Sequence, residues 1–126
     1  MQHLKKYMKK IITLILISIL ITGCGTKQTQ AIKRSISKIE AQQLMNKSDA
    51  VLLDVRTEAE YKKDHIMHAM NIPLGLIDRA HKDIPNKNTP IIVYCQSGNR
   101  SKEAQNMLIQ MGYKEVYDLG SINNWE

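Results

Sequence analysis

Cysteine is scarce in this chain: Cys24 and Cys95 are its only two among 126 residues, so a disulfide framework is excluded. Tryptophan occurs once, and no block of basic residues lies within the body of the chain. Nucleic-acid binding therefore has no support, and no nucleic-acid partner is expected. Internal repeats and low-complexity tracts are absent as well. His68 and His81 lack partners at metal-ligand spacing, so no metal is expected. Met45, Met107 and Met111 read as core filler rather than a copper site. The formal charge of +6 overstates the balance, because Lys5, Lys6, Lys9 and Lys10 precede residue 24 and the remainder carries only +2.

The longest apolar run, Ile11 to Ile21, is too short to cross a bilayer comfortably as a helix. It follows a lysine-rich start and ends at Thr22-Gly23-Cys24, the pattern of a secretory signal over residues 1–23. Ile21-Thr22-Gly23-Cys24 resembles the bacterial lipobox. That resemblance implies acylation of Cys24, an anchor in the cell membrane, and a domain on the extracytoplasmic face. An uncleaved signal anchor places the domain on the same side, since the lysines precede the apolar run. Residues 24–34 are polar and aperiodic and read as a flexible tether. A lipidated Cys24 leaves Cys95 as a lone thiol in a compartment that is often oxidising, which points to chemistry at that sulfur or to a thiol-redox partner protein.

The remaining 35–126 suit one compact domain. Ser37-Lys38-Ile39-Glu40 is a capping-box pattern that opens a helix from Lys38 to about Asn46, and Thr57-Glu58-Ala59-Glu60 opens a second, ending near Asp64. Val51 to Val55 and Ile91 to Tyr94 are short apolar runs, the mark of strands buried on both faces. Asn71-Ile72-Pro73 is extended, because the residue before proline avoids the helical region. Leu74 to Asp83 holds another short helix. Ala104, Met107, Leu108 and Met111 recur at helical spacing before Gly112, a C-cap glycine, and Val116 to Leu119 is a last strand. Strands alternating with helices predict an α/β fold, a central parallel sheet with helices on both faces. Sites in such sheets form at the carboxyl ends of strands.

Cys95 stands at one such end. It opens Cys95-Gln96-Ser97-Gly98-Asn99-Arg100-Ser101, a small polar loop leading into a helix N-terminus. Amides of the loop from Gln96 to Ser101 can turn toward the sulfur, and the helix dipole favours an anion there. Arg100 adds a permanent charge with forked donors suited to oxyanions. Gly98 lets backbone pass close to whatever sits over the sulfur. Such surroundings raise the thiolate fraction at neutral pH, and the thiolate is the nucleophile.

These motifs together resemble a rhodanese-homology domain over nearly the whole of 35–126. Leu53-Asp54-Val55-Arg56 with Glu60-Tyr61, then His65-Ile66, Ala69 and Asn71-Ile72-Pro73, match the family's first signatures. Cys95 to Ser101 matches the loop of its sulfurtransferase members, and Leu119 to Trp125 its closing motif. The resemblance implies a sulfurtransferase without a cofactor. The Cys95 thiolate takes a sulfane sulfur from a small anionic donor such as thiosulfate, and the persulfide passes it to cyanide or a thiol acceptor. Arg100 is then expected to hold the donor's sulfonate. Asp54, Arg56, Glu60 and His65 are read as supports, Asp54 bonding nearby backbone and Arg56 pairing with Glu60. Four residues separate Cys95 from Arg100, whereas the phosphatases and arsenate reductases carry one more, so sulfur transfer is favoured over phosphoryl transfer. The alternatives are a non-catalytic persulfide carrier or interaction module and, behind it, a thiol-dependent reductase or phosphatase. Asp64 and His68 stand where the family has Gly, Ser121 replaces the second Gly of the closing pair, and the stop after Trp125 predicts a short last helix.

Overall fold

The computed structural model describes residues 2–19 and 29–126, with residues 11–19 described by backbone alone. Helix α1, Gln2–Ile19, precedes the body of the fold. Among the described residues no helix is long and apolar enough to cross a membrane. The expected lipidation site, Cys24, lies outside the described residues.

The body follows in the order β1 (Ile32–Ser35), α2 (Lys38–Lys47), β2 (Val51–Asp54), α3 (Glu58–Lys63), β3 (Met70–Asn71), a 3-10 stretch (Leu74–Arg79) running into α4 (Ala80–Asp83), β4 (Ile91–Cys95), α5 (Asn99–Gln110), β5 (Glu115–Ser121) and a 3-10 turn (Ile122–Trp125). The five strands pair in parallel in the order β1-β5-β4-β2-β3, the α/β sheet expected from the sequence. Both capping boxes form. Ser37 and Thr57 each accept the amide of the glutamate three residues on, Glu40 and Glu60, which returns its carboxylate to the cap backbone.

Strand β4 is the centre of the sheet and every residue of it is buried. Its side chains alternate between the faces, as a strand's period of two requires. Ile91, Val93 and Cys95 join Leu53, Ile77, Ala104, Leu108 and Val116 under α5, while Ile92 and Tyr94 join Ala41, Leu52, Ile66 and Leu119 on the α2 side. Fully burying one such aliphatic side chain stabilises by roughly 1.5–3 kcal/mol, so these two layers hold the sheet rigid beneath the cysteine loop. Met107 and Met111 pack against the first layer and Met45 against the second, as core filler.

Two differences from the sequence reading stand out. Ile32–Ser35, whose first three residues were expected in the tether, is a strand paired with β5 from Ile32 opposite Glu115 to Ser35 opposite Asp118. All four of its residues are exposed, so the stretch lacks the apolar signature of a buried strand, and its order comes from the ladder of an edge. The helix expected over Leu74 to Asp83 divides, because Leu76 departs from helical geometry at φ −120° and ψ 18°.

Candidate active site

The cysteine loop is built by β4 delivering Cys95 and α5 starting three residues after Gln96. Gly98 makes that turn possible: its φ is +96°, a left-handed conformation that side chains disfavour. The turn aims two amides at the sulfur, Gly98 N at 3.0 Å and Ser101 N at 3.3 Å from Cys95 Sγ. These are the inward-facing members of the run from Gln96 to Ser101. Ser101 Oγ donates to Gly98 O at 3.0 Å, which braces the loop on the first turn of α5. Gln96, Ser97 and Asn99 are exposed around it, and Cys95 itself has no exposed surface.

Both flanks of the loop are tied down. Arg56 Nη1 donates to Gln96 Oε1 at 3.3 Å on one side, and Ser121 Oγ donates to Gln96 O at 2.7 Å on the other. Arg56 is itself buried and held on all three of its nitrogens. Its Nη2 reaches Asp54 Oδ2 at 2.7 Å and Asp64 O at 2.6 Å, its Nε reaches both Asp54 oxygens at 3.1 Å, and its guanidinium lies 5.7 Å from the Tyr94 ring centre. Asp54 bonds nearby backbone as expected, accepting Arg56 N at 2.9 Å. Burial, with a hydrogen bond to Asp54, pushes the Tyr94 hydroxyl well above the usual phenol range, so it stays a neutral donor and acceptor.

The expected pairing of Arg56 with Glu60 is not formed. Glu60 projects from α3 to Arg100, accepting Nη1 at 2.8 Å and Nη2 at 2.9 Å, while Asp54, two residues from Arg56 and fully buried, takes that guanidinium instead. A buried carboxylate needs a cation at hydrogen-bond distance, and Arg56 is the one whose backbone the turn already brings there. Arg100's hydrogen bonds, with the Thr57 amide second, hold the Glu60 carboxyl far below the usual carboxylate range. Arg100 is raised in turn, chiefly by its hydrogen bonds with Glu60.

His65 supports a different loop from the cysteine loop. It is exposed, stacks on Tyr61 at 3.8 Å, and donates Nδ1 to Tyr61 O, while Tyr61 Oη donates to Ala69 O at 2.6 Å. One support escaped the sequence reading. Asn71 Nδ2 donates to Asp54 O at 3.0 Å and Arg56 O at 3.1 Å, fixing the turn that carries Arg56. An asparagine within the Asn-Ile-Pro motif, ahead of a rigid extended segment, was the available signal.

The departures at the glycine positions resolve separately. Asp64 is extended at φ −166°, where any residue fits. His68 adopts φ +68°, the one left-handed non-glycine among the described residues, so it carries the strain a glycine avoids. Ser121 adds the bond to Gln96 already described. Gly120, at φ +80°, is the close neighbour of Gly98: a Cβ on Gly98 would lie 3.6 Å from Gly120 Cα.

The family model for the rhodanese-like domain matches residues 37–126. The chain belongs to the rhodanese-like domain family. Among rhodanese-like relatives, the thiosulfate sulfurtransferase GlpE of Coxiella burnetii is 33% identical over 94 residues, covering 74% of this chain and 87% of the relative. The thiosulfate sulfurtransferase PspE of Escherichia coli is 36% identical over 73 residues, covering 57% and 70%. A solved Escherichia coli rhodanese with anions superposes with a TM-score of 0.57 at 34% identity, over 60% of this chain and 89% of that one. This rhodanese-like chain has no cluster of metal-ligating side chains among its described residues.

Proposed function

We propose that this protein is a sulfurtransferase that moves a sulfane sulfur from a small donor, such as thiosulfate, through a Cys95 persulfide to a thiol or cyanide. The observation that carries this reading is the pair of amides aimed at Cys95 Sγ from Gly98 and Ser101. Fixed N–H donors favour negative charge at that sulfur, in the thiolate before transfer and in the persulfide after it. The relatives named as thiosulfate sulfurtransferases support the same chemistry.

In the first half-reaction the thiolate attacks the outer sulfur of the donor. A new S–S bond forms at Cys95, the donor's S–S bond breaks, and its electron pair leaves with sulfite when thiosulfate is the donor. An acceptor nucleophile then attacks the outer sulfur of the persulfide, and the electron pair returns to Cys95 as thiolate. Gln96, Ser97 and Asn99 form the exposed rim that a donor meets first. Arg100 meets the donor's sulfonate by releasing Glu60. The work is done at the outer face of the cell membrane, on a lipid attached to Cys24. The lysines before a short apolar run that ends in cysteine support that placement.

Intact-mass spectrometry of protein prepared from membranes tests both parts. Incubation with thiosulfate is expected to add one sulfur atom at Cys95, cyanide to remove it, and the Cys95→Ala variant to gain none. Lipid mass on Cys24 is expected in the same spectrum. No adduct with any of several donors sinks the sulfurtransferase reading, an adduct that no acceptor removes identifies a carrier, and an unmodified Cys24 removes the anchor.

A further inference from the structure

Both arginines beside the cysteine loop are already neutralised by carboxylates of this chain. Arg56 is bound to Asp54 at 2.7 Å, and Arg100 presents both Nη groups to Glu60 at 2.8 and 2.9 Å. A guanidinium whose fork is filled by a carboxylate binds a second oxyanion only by exchange. The exchange gains little, because it swaps one charge-assisted bidentate pair for another. The cavity beside the loop, of about 290 Å³, does not supply the missing charge. Its basic lining residues, Arg56 and Lys63, are outnumbered by Glu60, Asp64 and Glu126. Such a wall does not steer a dianion inward.

Resting on the sulfurtransferase reading, we propose that Glu60 sets donor specificity: by filling the fork of Arg100 it disfavours dianionic donors such as thiosulfate and turns the site toward organic persulfides, R–S–SH. Glu60 touches no reacting atom and acts through Arg100 as a positioning residue. With a persulfide donor the Cys95 thiolate bonds to the outer sulfur, the donor's S–S bond breaks, and the electron pair leaves on the inner sulfur as RS⁻. The proton stays on the new Cys95–S–SH, and no oxidant or reductant is consumed.

Glutamine serves the third position of a capping box as glutamate does, so Glu60→Gln removes the charge and keeps the cap on α3. An unchanged melting temperature checks that the cap survives. The rate of Cys95 persulfide formation, followed by mass spectrometry against donor concentration, is compared for thiosulfate and cysteine persulfide. The wild-type protein is expected to favour cysteine persulfide. Glu60→Gln is expected to raise the thiosulfate-to-persulfide ratio of second-order rate constants roughly three- to fivefold. The gain is expected in the half-saturating thiosulfate concentration rather than in the limiting rate, and is expected to vanish when Arg100→Ala is also present. A wild-type preference for thiosulfate, a ratio unmoved by Glu60→Gln, or an effect that persists without Arg100 overturns the proposal. Failure of every donor to form the persulfide overturns the sulfurtransferase reading instead.

Discussion

Two carboxylate–arginine pairs flank the cysteine loop with nearly equal contact distances, 2.7 Å for Asp54–Arg56 and 2.8 Å for Glu60–Arg100. Their surroundings differ. The Asp54 and Arg56 side chains are 0% and 4% exposed, whereas Glu60 and Arg100 are each about one-third exposed. Removing one partner of a buried pair strands a charge without water, while a pair one-third exposed that loses one partner leaves the other to solvent at small cost. Equal distances thus conceal different roles. The inner pair is scaffold, holding Gln96 through Arg56, and the outer pair is open to exchange at the mouth of the site.

The largest expected effect breaks the inner pair. Asp54→Ala should destabilise the fold by about 3–5 kcal/mol, read as a shift of the urea midpoint, because Arg56 is left buried and unpaired. Arg100→Ala should cost under about 1 kcal/mol by the same measurement. Equal losses from the two substitutions would erase the distinction between scaffold and exchangeable pair. The smallest effect is a slope. Glu60 titrates below its unfolded value of about 4.3, so its contribution is full above that pH and is lost as pH falls through the lower folded value. In that acid window the unfolded chain binds more protons and stability rises with pH. Urea midpoints between about pH 3 and 5 should rise less steeply in Glu60→Gln than in the wild-type protein. Identical slopes would show that Arg100 contributes nothing to Glu60 in the folded state.

The parts of this molecule legible in the sequence are those set by near neighbours. Capping boxes at Ser37 and Thr57, the apolar run at Ile91 to Tyr94 and the glycine after α5 each act within a few residues. All are found at or within two residues of the expected places. The edge strand Ile32–Ser35 was illegible, because it has no buried face and owes its order to β5, some eighty positions away. The site divides the same way. Cys95, Gly98 and Ser101 were found from one contiguous loop, but the partner of Glu60 was not. Arg56 and Arg100 are both arginines within reach in sequence or in space, and only the fold, which brings Arg100 to Glu60, selects between them.

Read alone, the chain determined that a cysteine ends a buried central strand and is followed by a turn that requires glycine and by a helix start. Period-two and period-3.6 patterns and left-handed turns are local properties of the polymer. Tertiary structure decided the charge state of the surroundings. It gave Arg56 to Asp54, Arg100 to Glu60 and Gln96 to both Arg56 and Ser121. Pairing of charges depends on which side chains share a low-dielectric volume, and sequence distance does not encode that.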